Sequence, residues 1–239
     1  MIALRSALFN VYFFGLTAIL CFAGLPFRWA GPRHALKIPM LWARWVLMGL
    51  RVICGIRFEV TGIEYLPRQG AALIASRHQS AFDTLVWFTL LPRCCYVIKQ
   101  ELARIPLFGG LMRPAGMILV DRSAKAGAMR HLMREAQRAA GEGRQIVIFP
   151  EGTRAEPGRM GTLQPGIAAM AARTGLPVIP VATDSGHCWG RRAFYKRPGT
   201  IHITLLRPIP AGTPRDRLMA GLAAAFAQPV RQPVDNSVG

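Results

Sequence analysis

Acidic side chains are what this sequence has least of. Its 239 residues hold 12 Asp and Glu against 30 Lys and Arg, a formal net charge of +18, and no acid occurs before Glu59. The five cysteines, Cys21, Cys54, Cys94, Cys95 and Cys188, form no C-x-x-C pair and no metal-ligand spacing. An odd, scattered set excludes a disulfide framework and fits a reducing compartment. The 24 glycines and 18 prolines follow no G-X-Y period, which excludes a collagen-like chain. Hydrophobic residues make up 51%, too many for a chain that stays disordered in water. What remains is a chain both basic and apolar, with a mean hydropathy of +0.26. Nucleic-acid binders are basic but usually polar, so this balance points to an anionic membrane surface and no nucleic-acid partner is expected.

Seven basic residues precede Glu59: Arg5, Arg28, Arg33, Lys37, Arg44, Arg51 and Arg57. The 22 residues Ser6 to Phe27 carry no charge, and as a helix they would cover ~33 Å, enough to cross a bilayer core. A secretory signal peptide is the rival reading, but the apolar run is long for one and basic residues crowd its C-terminal side. Arg28, Arg33 and Lys37 there outweigh Arg5, which would keep the following chain on the cytoplasmic face of the membrane. Ile38 to Ile56 is a second apolar stretch. It reads either as an interfacial helix with Trp rings at headgroup depth or as a core helix whose Arg44 and Arg51 snorkel. The expected organisation is a two-helix membrane-binding segment over residues 1–56, a globular domain over 57–227 and a loose tail over 228–239.

From Arg57 onward, strand and helix signals alternate. Strands are expected at Arg57–Thr61, Ala71–Ser76, Cys95–Lys99, Gly116–Val120, Gln145–Phe149, Pro177–Thr183 and Thr200–Leu206. Helices are expected at Ser80–Leu91, Ser123–Ala140, Gly166–Thr174 and Pro214–Ala227. This order predicts an α/β domain with a largely parallel sheet flanked by helices.

Four of the scarce acids, Asp83, Glu101, Asp121 and Glu151, stand in polar clusters beside strand ends, where open α/β sheets bind ligands. In Ser76-Arg77-His78-Gln79-Ser80-Ala81-Phe82-Asp83, one straight helix would turn His78 and Asp83 about 140° apart. With His78 in the turn and Asp83 in the first helical turn, the carboxylate can reach the imidazole, fix its tautomer and leave the other ring nitrogen free as a base. Ser80-x-x-Asp83 also reads as a capping box, which gives His78 no work. Lys99, Glu101, Pro106, Gly109, Gly116 and Asp121-Arg122 form a second cluster around a turn-rich loop. In Phe149-Pro150-Glu151-Gly152-Thr153-Arg154, Gly152 permits close backbone approach and Arg154 offers a planar fork for phosphate. Val178 to Thr183 is apolar and reads as the wall of an acyl or pantetheine path, or simply as a buried strand.

These four stretches, in this order over Ser76 to Thr183, resemble the motifs of the glycerolipid acyltransferases, in particular the 1-acyl-glycerol-3-phosphate acyltransferases. Arg77 stands where many members carry Asn. The resemblance implies direct acyl transfer from acyl-CoA or acyl carrier protein to a lysolipid hydroxyl, giving phosphatidic acid from lysophosphatidic acid. It makes His78 the general base and Asp83 its orienting acid. Glu151, Gly152, Thr153 and Arg154 would bind the glycerophosphate part, with Arg122 as a second cationic contact and Lys99 as a further phosphate candidate. No cofactor and no metal are expected. The basic run Arg191, Arg192, Lys196 and Arg197 would assist in drawing in an acidic donor, or be a solvated loop.

A serine hydrolase using Ser76 or Ser80 lacks a G-x-S-x-G elbow. A metal site would need more than the isolated His34, His131, His187 and His202. A basic membrane-binding module without catalysis and an acyltransferase for another lysolipid are the remaining alternatives.

Overall fold

The structure is a computed structural model and describes residues 1–29, 31–105, 109–121, 125–228 and 230. Helix α1 (Ile2–Ala23) is followed by a 3-10 turn (Leu25–Trp29), α2 (Pro32–Ala35) and α3 (Lys37–Gly49), which runs on as a single wider π-helical turn (Leu50–Cys54). Seven strands follow: β1 (Ile56–Thr61), β2 (Ala72–Ser76), β3 (Cys94–Lys99), β4 (Ile118–Val120), β5 (Gln145–Ile148), β6 (Val178–Thr183) and β7 (Gly199–Leu205). Between and after them lie α4 (Asp83–Leu90), α5 (Gly109–Met112), α6 (Lys125–Gly141), α7 (Gly166–Thr174) and α8 (Arg215–Ala227). The sheet order is β1-β7-β6-β2-β5-β3-β4. All neighbours are parallel except β6 and β7. The expected, largely parallel α/β sheet is what forms.

The sequence pattern explains the layering. All residues of β2 and β6 are buried, as central strands covered on both faces must be. Alternate side chains then serve two cores. Ala72 and Ile74 join the one beneath α1, α3 and α4, whereas Leu73 and Ala75 join the one beneath α6, α7 and α8. The edge strand β1 alternates between buried and accessible positions instead.

The N-terminal helices share the first core. Fully buried Phe9 meets Trp189 edge-on at 5.6 Å, and burying such a ring is worth roughly 1.5–3 kcal/mol. Tyr12 donates its hydroxyl hydrogen to the Trp45 carbonyl at 2.7 Å, and Trp42 Nε1 donates to Thr17 Oγ1 at 3.0 Å. Tyr12 also fills the space that a side chain on Gly49 would need. Thus α1 and α3 lie side by side. Their outer faces stay apolar: Leu4, Leu8, Val11, Phe14, Ile19 and Phe22 on α1, with Leu41, Trp45 and Met48 on α3 and Val52 just beyond, are exposed. The second segment packs as the core-helix reading expects, and its other side is left exposed. Ala43 and Val46 pack inward, while Trp45 and the exposed Arg44 face out.

Two local expectations are corrected. The helix expected from Ser80 starts at Asp83, because Ser80 and Ala81 form a bend that the Asp83 carboxylate closes. Lys196, read as part of an exposed basic run, is buried. Its ammonium donates to Asn10 Oδ1 at 2.5 Å and to the Phe194 carbonyl at 2.9 Å, beside the Phe9 and Trp189 rings. All five cysteines are buried and free.

Gly116 has φ of +75°, and the space its side chain would occupy is taken by the Arg144 guanidinium. That guanidinium donates to the carbonyls of Cys94 (2.9 Å) and Ala115 (2.7 Å), which joins β3, β5 and the approach to β4. Gly116→Ala combines backbone strain with displacement of this arginine, and we expect a loss of about 2–4 kcal/mol. Denaturant unfolding of the variant measures it, and an unchanged midpoint would refute this account of the glycine.

Candidate active site

The site grows from the C-terminal ends of β2, β5, β3 and β4. Beyond Ser76 the chain leaves β2 in an extended stretch, with the Arg77 N–H donating to the Val181 carbonyl of β6 at 2.9 Å. His78 stands in this stretch and Asp83 is the first residue of α4, the arrangement that brings them together. His78 Nδ1 lies 3.2 Å from Asp83 Oδ2. The same oxygen accepts the backbone N–H groups of Gln79 (2.7 Å) and Ser80 (2.8 Å). Ser80 Oγ accepts the Phe82 N–H at 3.1 Å. The expected capping box with Ser80 as N-cap does not form: Phe82 precedes the helix and Ser80 Oγ meets the Phe82 N–H, so only the carboxylate's bond to the Ser80 N–H is made, by the same oxygen that holds His78. Because that carboxylate accepts at Nδ1, the imidazole proton belongs there and Nε2 is left as a proton acceptor.

The imidazole is held from other sides as well. Phe149 stacks on it with ring centroids 4.1 Å apart and planes at 20°. The His78 N–H donates to Glu151 Oε2 at 2.9 Å, and the Ala155 N–H donates to the His78 carbonyl at 2.8 Å. Glu151 is buried, and its second oxygen accepts the Gly161 N–H at 3.2 Å. Its carboxylate thus ties two backbone segments together beneath the site. The sequence pointed to an arginine partner or a substrate hydroxyl for this residue, and nothing in the motif itself reveals the amides it meets.

His78 lines a cleft of about 640 Å³ together with Lys99, Gly152, Thr153 and Arg154. Apolar residues of the strand ends and of the two helices beyond, among them Val97, Val120, Met129, Leu132 and Ile167, form the remainder. Gly152 takes φ of +68°, a conformation glycine adopts without strain, and so turns the chain sharply at the rim. Arg122 lies outside the described residues, as does Pro106 of the second cluster. The β6 stretch expected as a wall is absent from the lining. It sits on the far side of β2 from β5 and supports the His78 strand from there. Ser76 and Ser80 are buried, their hydroxyls engaged with backbone groups, and neither lines the cleft.

Cations dominate the cleft mouth. Burial is the main influence on Arg154 and pushes its guanidinium below the ordinary value; Asp83 opposes the shift, while Arg191 and Arg192 add to it. Arg191 and Arg192 also line the cleft, a placement that sequence alone left between a docking face and a solvated loop. Arg77 instead points away. It is buried and donates to the carbonyls of Phe226 (3.1 Å), near the C-terminus of α8, and Arg159 (2.8 Å).

Comparison with known proteins agrees with this geometry. The family model described as Acyltransferase matches residues 57–184, more than half of the chain. The chain belongs to the acyltransferase family. It is 32% identical over 209 residues to the 1-acyl-sn-glycerol-3-phosphate acyltransferase of Pseudomonas aeruginosa, covering 85% of this chain and 79% of that one. It is 30% identical over 171 residues to the human 1-acyl-sn-glycerol-3-phosphate acyltransferase alpha, covering 70% of this chain and 60% of the human protein. The crystal structure of the 1-acyl-sn-glycerophosphate acyltransferase from Thermotoga maritima superposes with a TM-score of 0.77 over 95% of each chain, at 20% identity, which places the acyltransferase in the same fold.

Glu151→Ala strands two backbone N–H groups and removes two charge-assisted hydrogen bonds. We expect about 2–4 kcal/mol of lost stability by denaturant unfolding. If the alanine variant unfolds with the wild type, Glu151 does not tie these segments.

Proposed function

We propose that this acyltransferase moves a fatty acyl group from a thioester to the sn-2 hydroxyl of 1-acyl-sn-glycerol-3-phosphate, giving phosphatidic acid. The observation that carries the reading is His78 Nδ1 at 3.2 Å from buried Asp83, in a cleft that also holds Arg154 and Lys99.

His78 Nε2 accepts the proton of the acceptor hydroxyl as its oxygen attacks the thioester carbonyl. Asp83 keeps the ring in the competent tautomer and stabilises the imidazolium. The tetrahedral intermediate collapses with loss of the thiolate, and the imidazolium returns the proton to that sulfur. The products are the new ester and a free thiol, with no acyl-enzyme and no cofactor. Arg154, with Gly152 and Thr153 beside it, receives the acceptor phosphate, and Lys99 adds charge to the same cleft; the family resemblance assigns Arg122 to the same task. Glu151 acts from below as a positioning residue. The donor is acyl-CoA or acyl carrier protein, both acidic, and a chain of net charge +18 attracts either.

Membrane association follows from the outer faces of α1 and α3. A helix fastened along its length to the domain meets the bilayer with its free apolar side, and Trp45 and Trp29 suit headgroup depth. The excess of Arg28, Arg33 and Lys37 over Arg5 around α1 supports the cytoplasmic face.

In a thiol-release assay with acyl-CoA and lysophosphatidic acid in detergent, His78→Ala should lower turnover at least 10²-fold while the protein stays folded. A full rate in that variant would end the mechanism. Arg154→Ala should raise the KM for lysophosphatidic acid more than tenfold and affect an acceptor without a phosphomonoester much less. Equal losses with both acceptors would separate Arg154 from phosphate.

A further inference from the structure

Arg191 and Arg192 have no part in the proton-transfer scheme, yet they line the cleft that contains His78. With Arg154 they bring three guanidinium groups into one field. Among the described residues none of the three has a carboxylate within ion-pair distance. Three cations with no carboxylate in ion-pair contact are a cost to the folded protein unless an anion joins them.

The segment that carries the pair is fixed at several points. Asp184, at its start, accepts the His202 N–H at 2.7 Å and meets His202 Nδ1 at 2.8 Å. The Gly186 N–H donates to Oε1 of Gln79, the neighbour of His78, at 3.1 Å. At the far end the Lys196 N–H donates to Ser6 Oγ at 2.9 Å, and the Lys196 ammonium is held by Asn10. Within the segment, Arg192 takes φ of +54°, the only residue other than glycine with a positive φ among the described residues. Such a conformation is strained for a residue with a side chain, and it concentrates at functional sites. A braced loop that aims two arginines loses little further freedom when a ligand arrives.

We infer that Arg191 and Arg192, lining the same cleft as Arg154, form a phosphate-binding locus that takes a phosphate group of one of the two substrates. The inference rests on the acyl-transfer reading for the identity of those substrates. The chemistry is shared: the acceptor carries a phosphomonoester, and a CoA donor carries a 3′-phosphate and a pyrophosphate.

Titration calorimetry on the full chain in detergent at low salt separates the sources. The probes are glycerol 3-phosphate for the acceptor and adenosine 3′,5′-bisphosphate for the donor. The double variant Arg191→Ala/Arg192→Ala should bind one of them about tenfold more weakly than wild type, and the affected probe names the source. Arg215→Ala/Arg217→Ala, at exposed positions of α8, removes the same charge elsewhere and should leave both affinities unchanged. In thiol-release kinetics the KM of the matching substrate should rise with the probe's Kd. Unchanged binding of both probes in the cleft variant, an equal loss in the α8 variant, or binding of neither probe by wild type overturns the inference. A wild type that turns over with such a result keeps the acyl-transfer reading; a wild type that binds the probes but releases no thiol loses that reading and keeps the locus.

Discussion

One oxygen atom organises the active end of this molecule. Asp83 Oδ2 gathers the amides of Gln79 and Ser80 and the Nδ1 of His78, so the bend after β2, the start of α4 and the orientation of the imidazole are one event. A buried carboxylate is costly unless such donors surround it, and here the donors come from the segment it must shape. The requirement runs both ways. Without the carboxylate the bend has two buried amides unmet; without the bend the carboxylate has no imidazole to hold.

The sheet supplies the frame for that event. β2 sits between β6 and β5, so the His78 segment emerges from the middle of the sheet with support on both sides. Glu151, from the turn after β5, catches the His78 amide, and Phe149 lays its ring against the imidazole. The residues that deliver chemistry and those that deliver rigidity therefore leave adjacent strand ends. The sheet also separates two environments. α1 and α3 lie over one face and carry exposed apolar side chains, while α6, α7 and α8 cover the other.

Much of this was legible from local pattern. Runs such as Ala72–Ser76 and Val178–Thr183 admit little besides buried strands, and the short interval between His78 and Asp83 confines their geometry to a bend before a helix. What stayed hidden depends on partners distant in the chain. Glu151 meets a backbone amide 73 positions away, and Lys196 meets a side chain 186 positions away. No composition rule distinguishes Lys196, buried among rings, from Arg191 and Arg192, exposed at a cleft only a few residues earlier. The same limit explains β6: its apolar run is evident, but its place beyond β2 is set by strand order. Arg77 departs from the usual asparagine, and its guanidinium serves the end of α8 and the Arg159 carbonyl, contacts that no neighbouring residue announces.

The pairing of β1 with β7 has a consequence for how the protein is made. Ile56 aligns with Gly199 and Thr61 with Thr204, so one of the earliest strands to leave the ribosome waits for the last. Such long-range closure is slow to form, and until it does α1 lacks the ammonium of Lys196 beside Asn10 and the ring of Trp189 beside Phe9. The Phe9 side of the nascent helix therefore stays without these folded partners until the segment that carries Trp189 and Lys196 has been made.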